Sequence, residues 1–268
     1  MMKKLATGVV AGSALALALT ACGSPTESPK TVNLSAHEAL NASAGKTANV
    51  ESFSAELTVG GGATVHGTGS FQIKPAPAFS VELDQISLAG FNVGTGGTRL
   101  ILLGQDVYVS NKNLNSLTGG SKPWVKVNLG TVGDKVGFNP GDMLKQVTQA
   151  NPADLAKIVA ESTDVKKVGT EKIDGVQTTH YAGTVDLKTA LKNWDPELQG
   201  KVEGMAKGAE ALTFDFWADK DQLPRKVAAK ATSSEGKVYD VTVLFRDYGK
   251  KVSVTAPPAD QVGDLKFP

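Results

Sequence analysis

The sequence predicts an α+β protein built on one curled antiparallel β-sheet, an unclosed barrel of about ten or eleven strands with helices packed on its concave side. Three observations carry that reading. Apolar and polar residues alternate at period two through most of the chain, the mark of strands with one buried and one wet face. Turn residues interrupt the alternation at short intervals, and Asp174-Gly175 stands between two alternating runs as a two-residue hairpin signal. Helical spacing is confined to a short N-terminal stretch and two inserts, 140–162 and 187–208. A sheet that wide curls or closes, and its apolar face needs the helices as cover.

Residues 34–44 (LSAHEALNASA) place Ser35 three positions before Glu38, a capping box, with Leu34, Ala36 and Leu40 available to pack. A short helix is expected there. Ala55, Leu57 and Val59 then alternate with Ser54, Glu56 and Thr58. In the next strand Val65, Gly67, Gly69, Phe71 and Ile73 share one face, opposite His66, Thr68, Ser70 and Gln72. Phe79, Val81 and Leu83 repeat the pattern against Ser80, Glu82 and Asp84. Residues 99–103, 106–110 and 124–129 are further strands, the first apolar on both faces. Gly60-Gly61-Gly62 and Asn111-Lys112-Asn113 supply the positive-φ positions of tight connections, and Gly94-Thr95-Gly96-Gly97 reads as a glycine-rich turn. Gly67 and Gly69 inside a strand predict a bend or a closely approaching neighbour.

Residues 140–149 and 152–162 place Met143, Leu144, Val147, Leu155, Ile158 and Val159 at three- and four-residue spacings, as two short amphipathic helices. Asn151 serves as N-cap and Pro152 as the first helical residue of the second. Strands at 165–173 and 176–187 flank the Asp174-Gly175 turn, and a helical stretch over 187–208 is broken near Pro196. Leu212, Phe214 and Phe216 then alternate with Thr213, Asp215 and Trp217. Strands near 225–232, 237–247 and 251–255 finish the pattern, with Tyr239, Val241, Val243 and Phe245 on one face of the penultimate one. No repeat at a period of about 20–50 residues is visible, which excludes a solenoid or propeller.

The N-terminus reads as an address. Lys3 and Lys4 precede an apolar run over 5–19 that closes on Leu19-Thr20-Ala21-Cys22-Gly23, the form of a bacterial lipobox. In that reading Cys22 is diacylated and becomes the mature N-terminus. An ordinary export signal with an accidental cysteine is the plainer alternative. The run has 15 residues, interrupted by glycine, serine and threonine. That falls short of the ~20 a membrane span needs. Residues 23–32 (GSPTESPKTV) are small, polar and proline-bearing, a flexible tether. Extended, the 12 residues 23–34 reach roughly 40 Å at ~3.3 Å each. The expected organisation is a signal peptide over 1–21, an acylated tether over 22–33 and one domain over 34–268, a monomer held on the extracytoplasmic face of the cell membrane. A two-chain anchor holds where one chain is marginal.

Charge and motifs exclude other classes. The 28 basic residues, less Lys3 and Lys4, meet 27 acidic ones, so the mature chain is at −1. Nucleic-acid binding calls for a basic excess. Cys22 is the sole cysteine, so no disulfide forms within a chain. His37, His66 and His180 lack partners at metal-ligand spacing, and no phosphate loop, dinucleotide fingerprint or Gly-x-Ser-x-Gly elbow is present. Asp142, Asp154, Glu161 and Asp164 lie around helices, where they complement the helix dipole. No catalytic residue, metal or cofactor is expected. Trp124, Trp194 and Trp217 read as partly buried residues with satisfied indoles.

Two stretches carry a family resemblance: residues 168–183 (VGTEKIDGVQTTHYAG) and 216–227 (FWADKDQLPRKV), the latter followed by a strand centred on Tyr239. With the lipobox they resemble the actinobacterial lipid-carrying lipoproteins of the LppX/LprG type, over roughly Leu34 to Val254. The resemblance implies a LolA-like fold, as in the periplasmic carriers LolA and LolB, enclosing a hydrophobic cavity. It implies binding of acylated lipid and its transfer across the cell envelope. The expected cavity residues are Leu57, Phe71, Phe79, Val81, Leu83, Met143, Leu144, Val147, Phe214, Phe216, Val241, Val243 and Phe245. On patterning alone the same residues also suit a filled core. A diacyl ligand burying ~30 methylenes at ~0.8 kcal/mol each gains roughly 24 kcal/mol over water and close to nothing over a bilayer. The alternative function is an envelope sensor or adaptor that binds a protein partner with the same fold.

Overall fold

The alternating segments pair into one sheet in the computed structural model, which describes residues 34–61, 63–88, 91–112, 122–129, 152–192, 196–205 and 207–264. Helix α1 (Ala36–Thr47) opens the described chain. A first meander follows: β1 (Ser52–Gly60), β2 (Ala63–Gln72), β3 (Ala78–Leu88), β4 (Phe91–Leu103), β5 (Asp106–Ser110) and β6 (Trp124–Asn128). Helix α2 (Pro152–Ala160) precedes a second meander of β7 (Lys166–Ile173), β8 (Val176–Asp186), β9 (Ala211–Asp219), β10 (Pro224–Thr232) and β11 (Val238–Arg246). Helices α3 (Leu187–Leu191) and α4 (Pro196–Met205) interrupt it between β8 and β9, and β12 (Val262–Asp264) closes the chain. The strand order is β12-β6-β5-β4-β3-β2-β1-β11-β10-β9-β8-β7. Pairing of β1 with β11 therefore joins the two meanders into a single unclosed sheet, and residues Leu34–Pro268 form one compact unit.

Local chemistry explains the boundaries. Ser35 caps α1 as read: its hydroxyl accepts from the Glu38 N–H, and the Glu38 carboxylate accepts from the Ser35 N–H at 2.8 Å. At the β7–β8 turn Asp174 and Gly175 take φ of 48° and 79°. Two successive positive values are what a tight hairpin matching the strand twist requires. In β2 a Cβ on Gly67 would lie 2.5 Å from the Leu83 side chain and 2.7 Å from the Glu82 carbonyl. The register shifts between His66 and Gly67, so both the bend and the close neighbour expected there are present.

Two elements differ from the sequence reading. Gly94-Thr95-Gly96-Gly97 lies inside β4, where it pairs irregularly with β3 instead of forming a turn. Residues 251–255 alternate like a strand but form none, because β11 already has β1 on one side and β10 on the other. The chain pairs later, through β12, and in parallel with β6. The helical stretch over 187–208 divides into α3 and α4, the second starting at Pro196 where a break was expected, and the helix expected over 140–149 lies outside the described residues.

Cross-strand register lines up the inward side chains in rows. One row runs Leu57, Val243, Val227, Phe216 and Tyr181; the next runs Val59, Val241, Ala229, Phe214 and Gly183; a third runs Tyr239, Ala231, Leu212 and Val185. Helices α1 and α2 pack against each other, and Ala39, Leu40 and Ala44 of α1 share one buried cluster with Ala156, Val159 and Ala160 of α2 and with the sheet. Phe53 lies at the centre of an aromatic chain, stacked on Phe71 at 4.9 Å and edge-on to Phe245 at 5.8 Å. Phe71 continues to Phe79 at 6.0 Å, where a second cluster with Leu102 and Val107 begins.

Candidate functional site

The rows fill the interior unequally. Around Phe53, Phe216 and Phe245 the side chains close on one another, with Phe216 at 0% and Phe245 at 2% exposure. One row further along, Ala229 and Gly183 flank Phe214, and beyond them Ala231 flanks Leu212. Small side chains on the floor, beneath helices that stand on larger ones, leave space. The result is a partly enclosed cavity of about 340 Å³.

Each wall has a local cause. Helix α2 buries Ala156 and Ala160 in the core cluster, while its Leu155 and Ile158 line the cavity. Helix α3 starts where the Asp186 carboxylate caps it, accepting from the Thr189 N–H at 2.8 Å. That bond holds the Asp186 carboxyl below its ordinary value and keeps the cap charged. The cap directs Leu187, Ala190 and Leu191 over the far end of the cavity. Val59, Val185, Leu212, Phe214, Val227 and Val241 complete the floor, so hydrocarbon dominates the lining. Tyr239 and Asp240 stand at the Gly60 edge. The Asp240 carboxylate lies 2.6 Å from where a Gly60 Cβ would be, so a larger residue there would displace that carboxylate.

Two other clefts are of a different character. One of about 570 Å³ is larger but bordered by Lys46, Glu51, Lys220 and Asp221, which favour water over hydrocarbon. A smaller one of about 250 Å³ lies between the ends of α1 and α2 and includes Asp154 and Lys157, paired at 2.9 Å. The outer face of the sheet is polar. There His180 stacks on Trp217 at 4.3 Å and meets Asp215 at 2.7 Å, while the Trp217 indole N–H donates to Glu171. Arg246 bridges Asp174 at 2.6 Å and Glu56 at 2.9 Å, and these two carboxylates hold its guanidinium above its ordinary value. Trp124 is buried beneath the Arg99 guanidinium at 4.8 Å. Among the described residues no group of three or more His, Cys, Asp or Glu could hold a metal ion, and no helix is long and apolar enough to cross a membrane.

Of the residues expected from the sequence to line a cavity, Phe214 and Val241 lie in its lining. Phe216 and Phe245 belong to the closed core, with Val243 packed against it. Phe71 bridges the two clusters, Phe79 is buried in the second and Val81 packs on it. Leu57 and Leu83 are half-buried on the same sheet face. Met143, Leu144, Val147 and Cys22 lie outside the described residues. Sequence reasoning passed over Ala229 and Ala231, although alanines at successive inward positions of one strand signal an unfilled interior.

Comparison with known proteins agrees with this architecture. Residues 35–254 match the family model described as LppX_LprAFG lipoprotein. An uncharacterized 31.2 kDa protein of Streptomyces griseus is 31% identical over 189 residues, and the match covers 68% of this chain and 60% of that protein. A Streptomyces coelicolor protein is 26% identical over 147 residues, covering 55% of this chain. The chain thus spans 60% and 44% of the lengths of these two relatives. Among solved structures, LprF from Mycobacterium bovis superposes with a TM-score of 0.54 at 16% identity, covering 83% of this chain and 96% of LprF. LppX from Mycobacterium tuberculosis gives 0.51 at 13% identity, covering 82% and 97%. Those two structures establish a shared fold, the unclosed LolA-like sheet. Because the family model spans most of the described body, the chain belongs to the LppX_LprAFG lipoprotein family, a family of lipoproteins and not of enzymes.

Proposed function

We propose that this protein is held on the extracytoplasmic face of the cell membrane by acylated Cys22, and that it takes acylated lipid into the cavity beneath α2 and α3 for relay to a partner within reach of its tether. The cavity is the observation that carries this reading: about 340 Å³ of space walled almost wholly by apolar side chains, next to a closed core. Hydrocarbon gains ~0.8 kcal/mol per methylene on leaving water and almost nothing on leaving a bilayer. An apolar cavity can therefore load from a membrane and release to one. A tether reaching roughly 40 Å restricts the protein to loading at its own membrane. A carrier that crosses the envelope needs a longer reach.

Native mass spectrometry of the mature chain carrying Cys22→Ala, purified without detergent, tests the reading. A co-purifying lipid mass, or a mass gained on incubation with liposomes, is expected. A clean apo mass under both conditions would sink the carrier function. Acyl labelling that persists in the Cys22→Ala chain would remove the anchor.

A further inference from the structure

Edge strand β7 carries an unusual surface close to the point where the tether enters the fold. Among the described residues the exposed large apolar side chains are Leu34, Val168, Val176 and Val238. Leu34 directly follows the tether, and Val168 and Val176 lie on the β7–β8 hairpin. Val168 is the most exposed, at 55%, and sits where β7 shifts register on β8, between Lys167 and Gly169. Lys166, Lys167 and Lys172 stand exposed on the same strand, without an ion-pair partner among the described residues. The carboxylates of this stretch are already engaged: Asp164 accepts from Thr184 and Ser162, and Glu171 from the Trp217 indole. The helices bring the tether to this edge. Thr47, at the end of α1, borders one cleft with Pro152, Ala153 and Asp154 at the start of α2. The two helices pack along each other, so they run antiparallel and the first turn of α1 lies at the end of α2. Strand β7 begins six residues beyond that end, and α1 packs against β7 directly.

We propose that this edge, with Leu34, Lys166, Lys167, Val168 and Lys172, docks on the surface of an anionic bilayer and sets which way the tethered body faces. The inference rests on the proposed membrane anchor and deepens it, because a tether reaching roughly 40 Å by itself permits any orientation. Each lysine near an anionic surface strengthens binding about fivefold, so the three together contribute about a hundredfold. Val168 and Leu34 add apolar side chains that enter the headgroup layer. A strand from another protein is the poorer occupant. A bulge and a row of lysines are the features that blunt a sheet edge against pairing, whereas lipid headgroups require no register.

Vesicle sedimentation of the mature Cys22→Ala chain, which has no acyl anchor, tests the surface alone. Vesicles of phosphatidylglycerol mixed with phosphatidylcholine are compared with vesicles of phosphatidylcholine. The parent chain is expected to bind the anionic vesicles about a hundredfold more tightly, and to lose that preference in 1 M salt, where charges are screened within ~3 Å. Lys166→Gln, Lys167→Gln and Lys172→Gln combined should abolish the preference. Lys74→Gln, Lys112→Gln and Lys251→Gln combined remove the same charge from exposed positions on other elements and should leave it in place. Val168→Asp should weaken binding to anionic vesicles about tenfold. Equal affinity for the two vesicles, or equal losses in the two triple variants, would overturn the docking surface. So would a dimer in sedimentation velocity that Val168→Asp dissolves, since the edge would then belong to a second copy. Vesicle binding that fails while lipid uptake in native mass spectrometry persists removes this inference and leaves the carrier function standing. Absence of acyl label on Cys22 in cells removes the anchor, and the vesicle comparison stands apart from it.

Discussion

Two ends of the same sheet face are built from the same alternating strands and come out opposite. At one end Phe53, Phe71, Phe216 and Phe245 close into a core in which Phe216 has no exposure at all. At the other, a few ångströms along β10, Ala229 and Ala231 take the corresponding inward positions and a cavity of about 340 Å³ opens. Both ends are apolar, and both are covered by helices. Side-chain volume separates the filled core from the open cavity, which makes the difference accessible to single substitutions.

Phe216 and Phe214 give the sharpest comparison, because they share a strand and a face and lie two residues apart. Truncation of a buried phenylalanine in a closed core costs about 3–5 kcal/mol, part of it for the cavity left behind. Phe216→Ala should approach the upper end of that range. Phe214 already borders space, so Phe214→Ala enlarges an existing cavity and should cost about half as much. Urea denaturation of the two variants measures the gap. Equal losses would mean that the cavity end is packed as tightly as the core.

Gly183 and Ala229 probe the same boundary in reverse. A Cβ at Gly183 would stand 2.7 Å from the Ser162 hydroxyl and 3.0 Å from both the Asp164 carboxylate and the Phe214 ring. Overpacking of that kind costs about 1–3 kcal/mol, so Gly183→Ala should lower the urea midpoint. Ala229→Leu adds three carbons where there is room. Its stability should change by less than about 1 kcal/mol, burial at ~0.8 per methylene being offset by restricted rotamers. A Gly183→Ala chain as stable as the parent would show that the space extends further into the sheet than the cavity lining indicates.

The fold was legible in the sequence because period two states which face of a strand is buried, and because Asp174-Gly175 and Ser35–Glu38 carry their own geometry. Pattern could not say which inward rows would be filled. That depends on cross-strand register, which brings Ala229 beside Phe214 and Val227 beside Phe216. Large residues drew the sequence-based list of site positions, and in a fold with an open interior large residues are the ones that close it. The small residues that open it carry no individual signal until the strands are aligned. Topology set two further limits. Residues 251–255 have a strand pattern and no free edge to join, while the glycines at 94–97 look like a turn yet extend β4 because β3 accommodates them with bulges.

The smallest expected effect lies beside the boundary, at Asp164. Its carboxylate accepts from the Thr184 N–H at 2.7 Å, the Thr184 hydroxyl at 2.8 Å and the Ser162 hydroxyl at 2.8 Å, which ties the segment after α2 to β8 near Gly183. Those bonds, the Thr184 N–H foremost, hold the carboxyl below its ordinary value of 3.8. The unfolded chain therefore takes up the proton at a higher pH than the folded one. The contribution is complete above about pH 3.8 and is lost as pH falls through the lower folded value. Asp164→Asn should cost no more than about 1 kcal/mol at neutral pH, since solvent screens an exposed carboxylate, and should flatten the loss of stability below pH 4. The slope will not vanish, because Glu38, Asp106, Asp186 and Asp247 are depressed in the same way. Urea midpoints at pH 3 and pH 6 for the parent and the variant decide it: an unchanged difference between the two pH values would mean that Asp164 ties nothing that folding requires, and that packing around Gly183 alone holds the floor of the cavity against α2.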